Sequence, residues 1–240
     1  MISSFVVKIR SLDNIKEKKN PSEFLKNGFE ILLGNTDEIV ISKFFKKSIN
    51  KIEIAEGEEI TFRITTLSKE SFERVTMRLF KYKLLNEPLF LEKYRFEVIG
   101  IYSGKDSAWG KTYDSFHTVK NNIKISFYTP IIIKLGSRFL EDFDLFLFFK
   151  SIIKNSNTKI NNQELICITD KIGMKNNIII KYHNLNSSKL KIPVITGEIE
   201  LDLSNLSDLE YKIIVELLKI GYFIFAGHYR ELGYGMYSFY

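Results

Sequence analysis

Cysteine is nearly absent: Cys167 is the only one in 240 residues. That excludes an intramolecular disulfide and, taken alone, a cysteine-rich zinc site. Histidine is scarce too. His117, His183 and His228 lie 66 and 45 residues apart, without the close spacing of a histidine metal cluster, so neither a metal nor another cofactor is expected. Nowhere are there eighteen consecutive apolar residues, which argues against a membrane-spanning helix. The opening MISSFVVKIRSLDN lacks the long apolar stretch and small-residue cleavage site of a signal peptide. It reads as a strand, and the cytoplasm is the expected location. Only four prolines punctuate the chain, and no Pro/Gly-rich linker separates its parts.

Charge is present and uneven. The formal net charge is +6. Residues 1–60 balance ten basic against ten acidic side chains, whereas residues 150–191 hold eight basic against two acidic. The stretch from 198 onward is acidic by seven to three. A basic middle is either the footprint of a polyanion or a lysine-solvated set of loops.

Local patterns divide the chain into two similar halves. SFVVKIRS suits a strand, and Asn20-Pro21-Ser22-Glu23 has the marks of a helix start, with Gly34 to end it. EEITFRITT alternates as a strand, Ser68 can cap a second helix carrying Phe72, Val75 and Leu79, and FLEKYRFEVIGIYS is extended. The order is β-α-β-β-α-β. In the second half NIKISFYTP is a strand stopped by Pro130, and EDFDLFLFFKSII is helical. ELICITD and NNIIIKYH read as a hairpin around Lys171–Lys175. IPVITGEIELDL is a strand, and Leu206, Leu209, Ile213 and Leu217 mark the last helix. The expectation is an α+β protein of two tandem ferredoxin-like (RRM-like) domains, residues 1–104 and 105–240, with a C-terminal glycine-rich loop.

That loop lies in YFIFAGHYRELGYGMYSF, residues 222–239, which alternates like a strand but carries Gly227, Gly233 and Gly235. Between the first two glycines stand His228, Tyr229, Arg230, Glu231 and Leu232. One reading is a hairpin whose glycines allow positive φ. The other is a loop that turns amides toward a phosphate while Arg230 adds its charge and Tyr229 or Tyr234 stacks a base.

Four stretches together resemble the CRISPR-associated repeat-processing endoribonucleases of the repeat-associated RNA-binding (RAMP) superfamily. They are Phe62-Arg63-Ile64-Thr65-Thr66-Leu67; Trp109, Gly110, Thr112, Tyr113 and Phe116; Phe127, Thr129 and Pro130; and Gly227, Arg230, Gly233, Gly235 and Met236. The resemblance implies binding of CRISPR repeat RNA, single-stranded or as a stem-loop, and one metal-independent cut. In that reaction the ribose 2′-OH attacks the adjacent phosphate. A noncatalytic RNA-binding subunit of a CRISPR effector complex is the alternative, with other effector subunits as partners.

The chain departs from that family where a histidine is commonly found: residues 20–60 contain neither histidine nor tyrosine. They contain Lys43-Phe44-Phe45-Lys46-Lys47 instead. The catalytic candidates are therefore His228, His117, Lys43, Lys46 and Lys47. The RNA-binding candidates are Gly227, Tyr229, Arg230, Gly233, Gly235, Lys171 and Lys175.

Overall fold

The computed structural model describes residues 2–45, 47–48, 51–102, 121–156, 158–184 and 191–240. The chain divides into two units. Met1–Ser115 with Glu231–Gly233 form the first; Phe116–Arg230 with Tyr234–Tyr240 form the second. The expected boundary after residue 104 lies outside the described residues.

In the first unit, β1 (Ser3–Ser11) is followed by the short β2 (Ile15–Glu17) and by α1 (Pro21–Leu33). The Asn20 side chain caps α1 by accepting from the Ser22 and Glu23 amides, Pro21 occupies its first turn, and Gly34 ends it at φ 80°. Next come β3 (Ile39–Ile41), β4 (Ile52–Ile54), β5 (Glu59–Thr66) and α2 (Lys69–Leu85). A reciprocal box between Ser68 and Ser71 starts α2. The extended segment that follows is two strands, β6 (Leu89–Leu91) and β7 (Tyr94–Tyr102). The sheet order is β3-β5-β1-β7-β6, every pairing antiparallel. Dropping the edge strand β6 leaves the 4-1-3-2 order of a ferredoxin-like βαββαβ unit. Phe5, Val7 and Ile9 of β1 and Ile60, Phe62 and Ile64 of β5 face the helices, where Phe24, Leu25, Phe29, Val75 and Leu79 complete the core.

The second unit repeats this topology. After β8 (Asn122–Phe127) come a two-strand ribbon, β9 (Lys134–Leu135) and β10 (Arg138–Phe139), then α3 (Leu145–Lys154) and α4 (Asn162–Thr169). The long hairpin β11 (Gly173–Asn184) and β12 (Lys191–Asp202), α5 (Asp208–Ile224), a 3-10 turn (Arg230–Leu232) and β13 (Tyr237–Phe239) close the chain. The order β11-β12-β8-β13 is again 2-3-1-4. The tandem ferredoxin-like architecture expected from the sequence is therefore present.

Three local expectations are corrected. ELICITD lies mainly in α4, because the Asn161 side chain caps it at Glu164 and Leu165 and Ile168 share its buried face. The hairpin partner of β11 is β12, so Lys171 and Lys175 do not mark a hairpin tip. Residues 222–224 are the last turn of α5, whose buried face includes Ile214, Leu217, Leu218 and Gly221 rather than the exposed Leu209. Only Tyr237–Phe239 of the terminal stretch is a strand. No helix among the described residues is long and apolar enough to cross a membrane.

Candidate functional site

In the first unit, the segment after β3 is fixed from both sides. The Ser42 N–H donates to the Arg63 carbonyl (2.9 Å), and Ser42 Oγ accepts from the Arg63 N–H (2.8 Å). The Phe45 N–H reaches the Thr61 carbonyl at 2.8 Å. Phe44 is fully buried among the rings of Phe24 and Phe62. Lys43 is held between these anchors and is itself half-buried. Its Nζ donates to the Lys47 carbonyl at 2.6 Å. Burial lowers the Lys43 pKa below the ordinary lysine value, because the ammonium loses part of its hydration. Lys47 is differently placed, paired with the Glu58 carboxylate and donating to the Glu53 carbonyl at 3.1 Å. Lys46 lies outside the described residues.

The start of α1 meets the residues from the far end of the chain that belong to this unit. Asn20 Nδ2 donates to the Leu232 carbonyl at 2.9 Å. Ser22 is completely buried, and its Oγ makes no hydrogen bond. A Cβ at Gly233 would collide with that oxygen and lie 3.4 Å from Lys43 Cβ. Gly233, at φ +79°, is therefore required twice, by conformation and by contact. Of the predicted residues, Lys43 and Gly233 are brought together.

The rest of the glycine-rich stretch belongs to the second unit. Four of its amides are committed to internal bonds and so do not face a phosphate, contrary to one of the two readings of the loop. Gly227 N–H donates to Ser151 Oγ (2.7 Å) and His228 N–H to the Ile132 carbonyl (2.9 Å). Gly235 N–H donates to the Pro130 carbonyl (2.8 Å) and Met236 N–H to Thr129 Oγ1 (2.8 Å). Two of the sequence stretches noted above thus hold each other: Thr129-Pro130 grips Gly235-Met236. Tyr229, at φ 55°, stacks on Phe139 with ring centres 6.3 Å apart. Arg230 Nη1 donates to the Ile224 carbonyl at the end of α5 (3.3 Å). The His228 side chain is partly exposed.

Tyr234 is buried, and its hydroxyl lies 3.2 Å from His183 Nδ1, which corrects its reading as an exposed stacking ring. Burial raises the Tyr234 pKa, and burial with nearby Lys181 lowers that of His183. Ser151, Asn20 and His183 hold the loop and were not among the candidate site residues. Their partners are distant in the chain, so no local spacing marks them. Lys171 is paired with Glu210 at 2.6 Å, which with the Ser207 bonds pulls that carboxyl down to about 2. Lys175 lies on β11 opposite Glu200. His117, and the stretch from Trp109 to Phe116, lie outside the described residues.

These features define a tandem ferredoxin-like protein with a glycine-rich C-terminal loop. No family model matches the sequence, and no curated protein matches it. Solved structures do. A Cas6 product complex, of a Thermus thermophilus protein, superposes with a TM-score of 0.73 at 16% identity, covering 100% of this chain and 99% of that one. A Cas6 substrate-mimic complex gives 0.70 at 13% identity, covering 99% and 100%. A RAMP protein binding different RNA substrates gives 0.55 at 13%, covering 99% of each chain. The likeness runs over the whole length and concerns the fold.

Proposed function

We propose that this protein is an endoribonuclease that binds CRISPR repeat RNA and cuts precursor transcripts into guide RNAs. The observation that carries the reading is the full-length likeness to Cas6 captured with substrate mimic and product. The half-buried Lys43 beside Gly233 adds the chemistry. In the proposed reaction solvent water takes the 2′-OH proton as that oxygen bonds to phosphorus. The P–O5′ bond breaks and the leaving oxygen takes a proton, giving a 2′,3′-cyclic phosphate and a 5′-OH. Lys43, whose burial makes its ammonium a stronger acid than a solvated lysine, is the proposed proton donor. His228 is the next candidate should Lys43 prove dispensable.

Repeat RNA labelled at its 5′ end and incubated with the protein in excess EDTA is expected to yield one product ending in a cyclic phosphate. Cutting that stops in EDTA and returns with magnesium would overturn the metal-independent mechanism. Binding without any cutting would establish the second reading, an RNA-holding subunit. That reading is favoured by the lack of histidine and tyrosine between residues 20 and 60.

For RNA contact we propose Arg230 as a phosphate ligand, with Gly227, Gly233 and Gly235 allowing the chain to pack closely. Tyr229 presents a ring already ordered by Phe139, and Lys171 and Lys175 add positive charge on the second unit. Replacing Arg230 by alanine is expected to weaken repeat-RNA binding by about 1–3 kcal/mol, roughly 5- to 150-fold. An RNA titration that overlays the parent's would remove Arg230 from the contact set. The bond to the Ile224 carbonyl predicts a small accompanying loss of thermal stability.

A further inference from the structure

The ribbon of β9 and β10 is an addition to the second unit's four-stranded sheet, inserted between β8 and α3. Between Tyr128 and Leu140 its only charged residues are Lys134 and Arg138, both basic. Among the described residues neither is paired with a carboxylate. The next acidic residues, Glu141 and Asp142, follow the ribbon, and Glu141 accepts from the Tyr182 hydroxyl at 2.9 Å.

The glycine-rich loop is fastened along the base of this ribbon. The His228 N–H bond to the Ile132 carbonyl holds it there, and the Leu140 N–H closes the ribbon on the Ile133 carbonyl at 3.0 Å. A Cβ at Gly227 would come within 2.7 Å of the Ile132 carbonyl oxygen, so the two segments touch. Three side chains gather as a result. Lys134 stands opposite Phe139 across the ribbon, with its Nζ 5.2 Å from the ring centre. Tyr229 stacks on the same ring, the two planes 27° apart. All three are half-buried, and Arg138 is exposed. Tyr229 takes this place at φ 55°, a left-handed conformation that is costly for a bulky residue and that clusters at functional sites. An aromatic pair bordered by unpaired cations matches an unpaired nucleotide, whose base stacks while its phosphates meet the charges. An acidic peptide would meet the cations and leave the rings unused.

We propose that the β9–β10 ribbon is a nucleotide-binding element of this protein. An unpaired base of repeat RNA stacks on the Tyr229–Phe139 pair, and Lys134 and Arg138 hold the phosphates on either side of it. The proposal rests on the RNA-binding part of the reading above and not on cleavage. It adds Lys134, Arg138 and Phe139 to the contact set.

Titration of the full chain against fluorescently labelled repeat RNA at a series of salt concentrations tests the charges and the rings separately. Arg138→Gln and Lys134→Gln are each expected to weaken binding at least about threefold. Each should also lower the slope of log affinity against log salt by about 0.7, the share of one phosphate on a single strand. Phe139→Leu keeps an apolar side chain but no ring, and should weaken binding at least about fivefold with the slope unchanged. Phe139→Tyr restores the ring and should stay within about twofold of the parent. Arg138 is exposed, so its variant reports on RNA contact even where a change at Phe139 costs stability. A parent-like slope in either charge variant overturns the proposal. So does parent-like affinity in Phe139→Leu, or a loss in Phe139→Tyr as large as that in Phe139→Leu. If Arg230→Ala still weakens binding in that case, the ribbon alone is removed and the RNA reading stands. A parent that does not bind repeat RNA overturns both.

Discussion

Replacing Lys43 by alanine is expected to slow repeat-RNA cleavage by at least about a hundredfold while changing RNA affinity by less than about fivefold. The expectation rests on where the side chain is held. Ser42, Phe44 and Phe45 fix the backbone on either side of it, so the ammonium is positioned by the core rather than by a solvated loop. An ammonium acid works only while protonated, so the rate should fall as pH rises through its pKa. Burial lowers that pKa, so the falling limb should arrive at lower pH than an exposed lysine, with its ordinary value of 10.5, would give. Lys43→Arg is the informative companion. Guanidinium stays charged over the whole range, so this variant should lose both most of the rate and the alkaline limb. A parent-like rate in Lys43→Ala, or an alkaline limb unchanged in Lys43→Arg, would take the proton-donor role from Lys43.

The largest effect on stability is expected at Gly235. It sits at φ +77°, and a Cβ there would overlap the carbonyl oxygen of Ala226, a backbone atom with no room to yield. Conformation alone costs a non-glycine residue about 1–2 kcal/mol in this region. The overlap should bring the loss for Gly235→Ala to about 3–5 kcal/mol, among the largest single-residue effects. Gly34→Ala separates the two contributions. That glycine also has positive φ, at +80°, but nothing lies within 4 Å of the added methyl. With ψ at −104° it lies outside the left-handed helical well, so it should lose about 1–3 kcal/mol from conformation alone. Urea midpoints with unchanged slopes would measure both. Equal losses at the two positions would mean that the Ala226 contact relaxes freely.

How far the sequence carried these conclusions depended on how local each signal was. Asn20-Pro21 and Ser68 mark helix starts because a cap acts on amides two or three residues away. The ferredoxin-like order followed from strands and helices that each announce themselves. ELICITD misled because isoleucine and threonine favour strands, while its helix is short and rests on one Asn161 cap and two buried side chains. The terminal stretch misled for a different reason. Tyr222, Phe223 and Ile224 alternate no more clearly as a strand than as a fully buried helix turn, which periodicity cannot separate. The amides of Gly227 and Met236 find side-chain partners 76 and 107 residues upstream. No window of sequence holds both ends of such a bond. Lys43 stood between, legible as a lysine beside two phenylalanines where a histidine was expected, but not as a half-buried one.

The Leu232 carbonyl and Gly233, which cover the start of α1, also set an order for folding during synthesis. Asn20 stands 212 residues before the carbonyl that it holds. The first unit can assemble its sheet and most of its core before Leu232 and Gly233 are made, yet the start of α1 waits for them. The surroundings of Lys43 are therefore completed only after the second unit's helices and long hairpin have been translated, so the earliest-made part of the described fold is among the last to be finished.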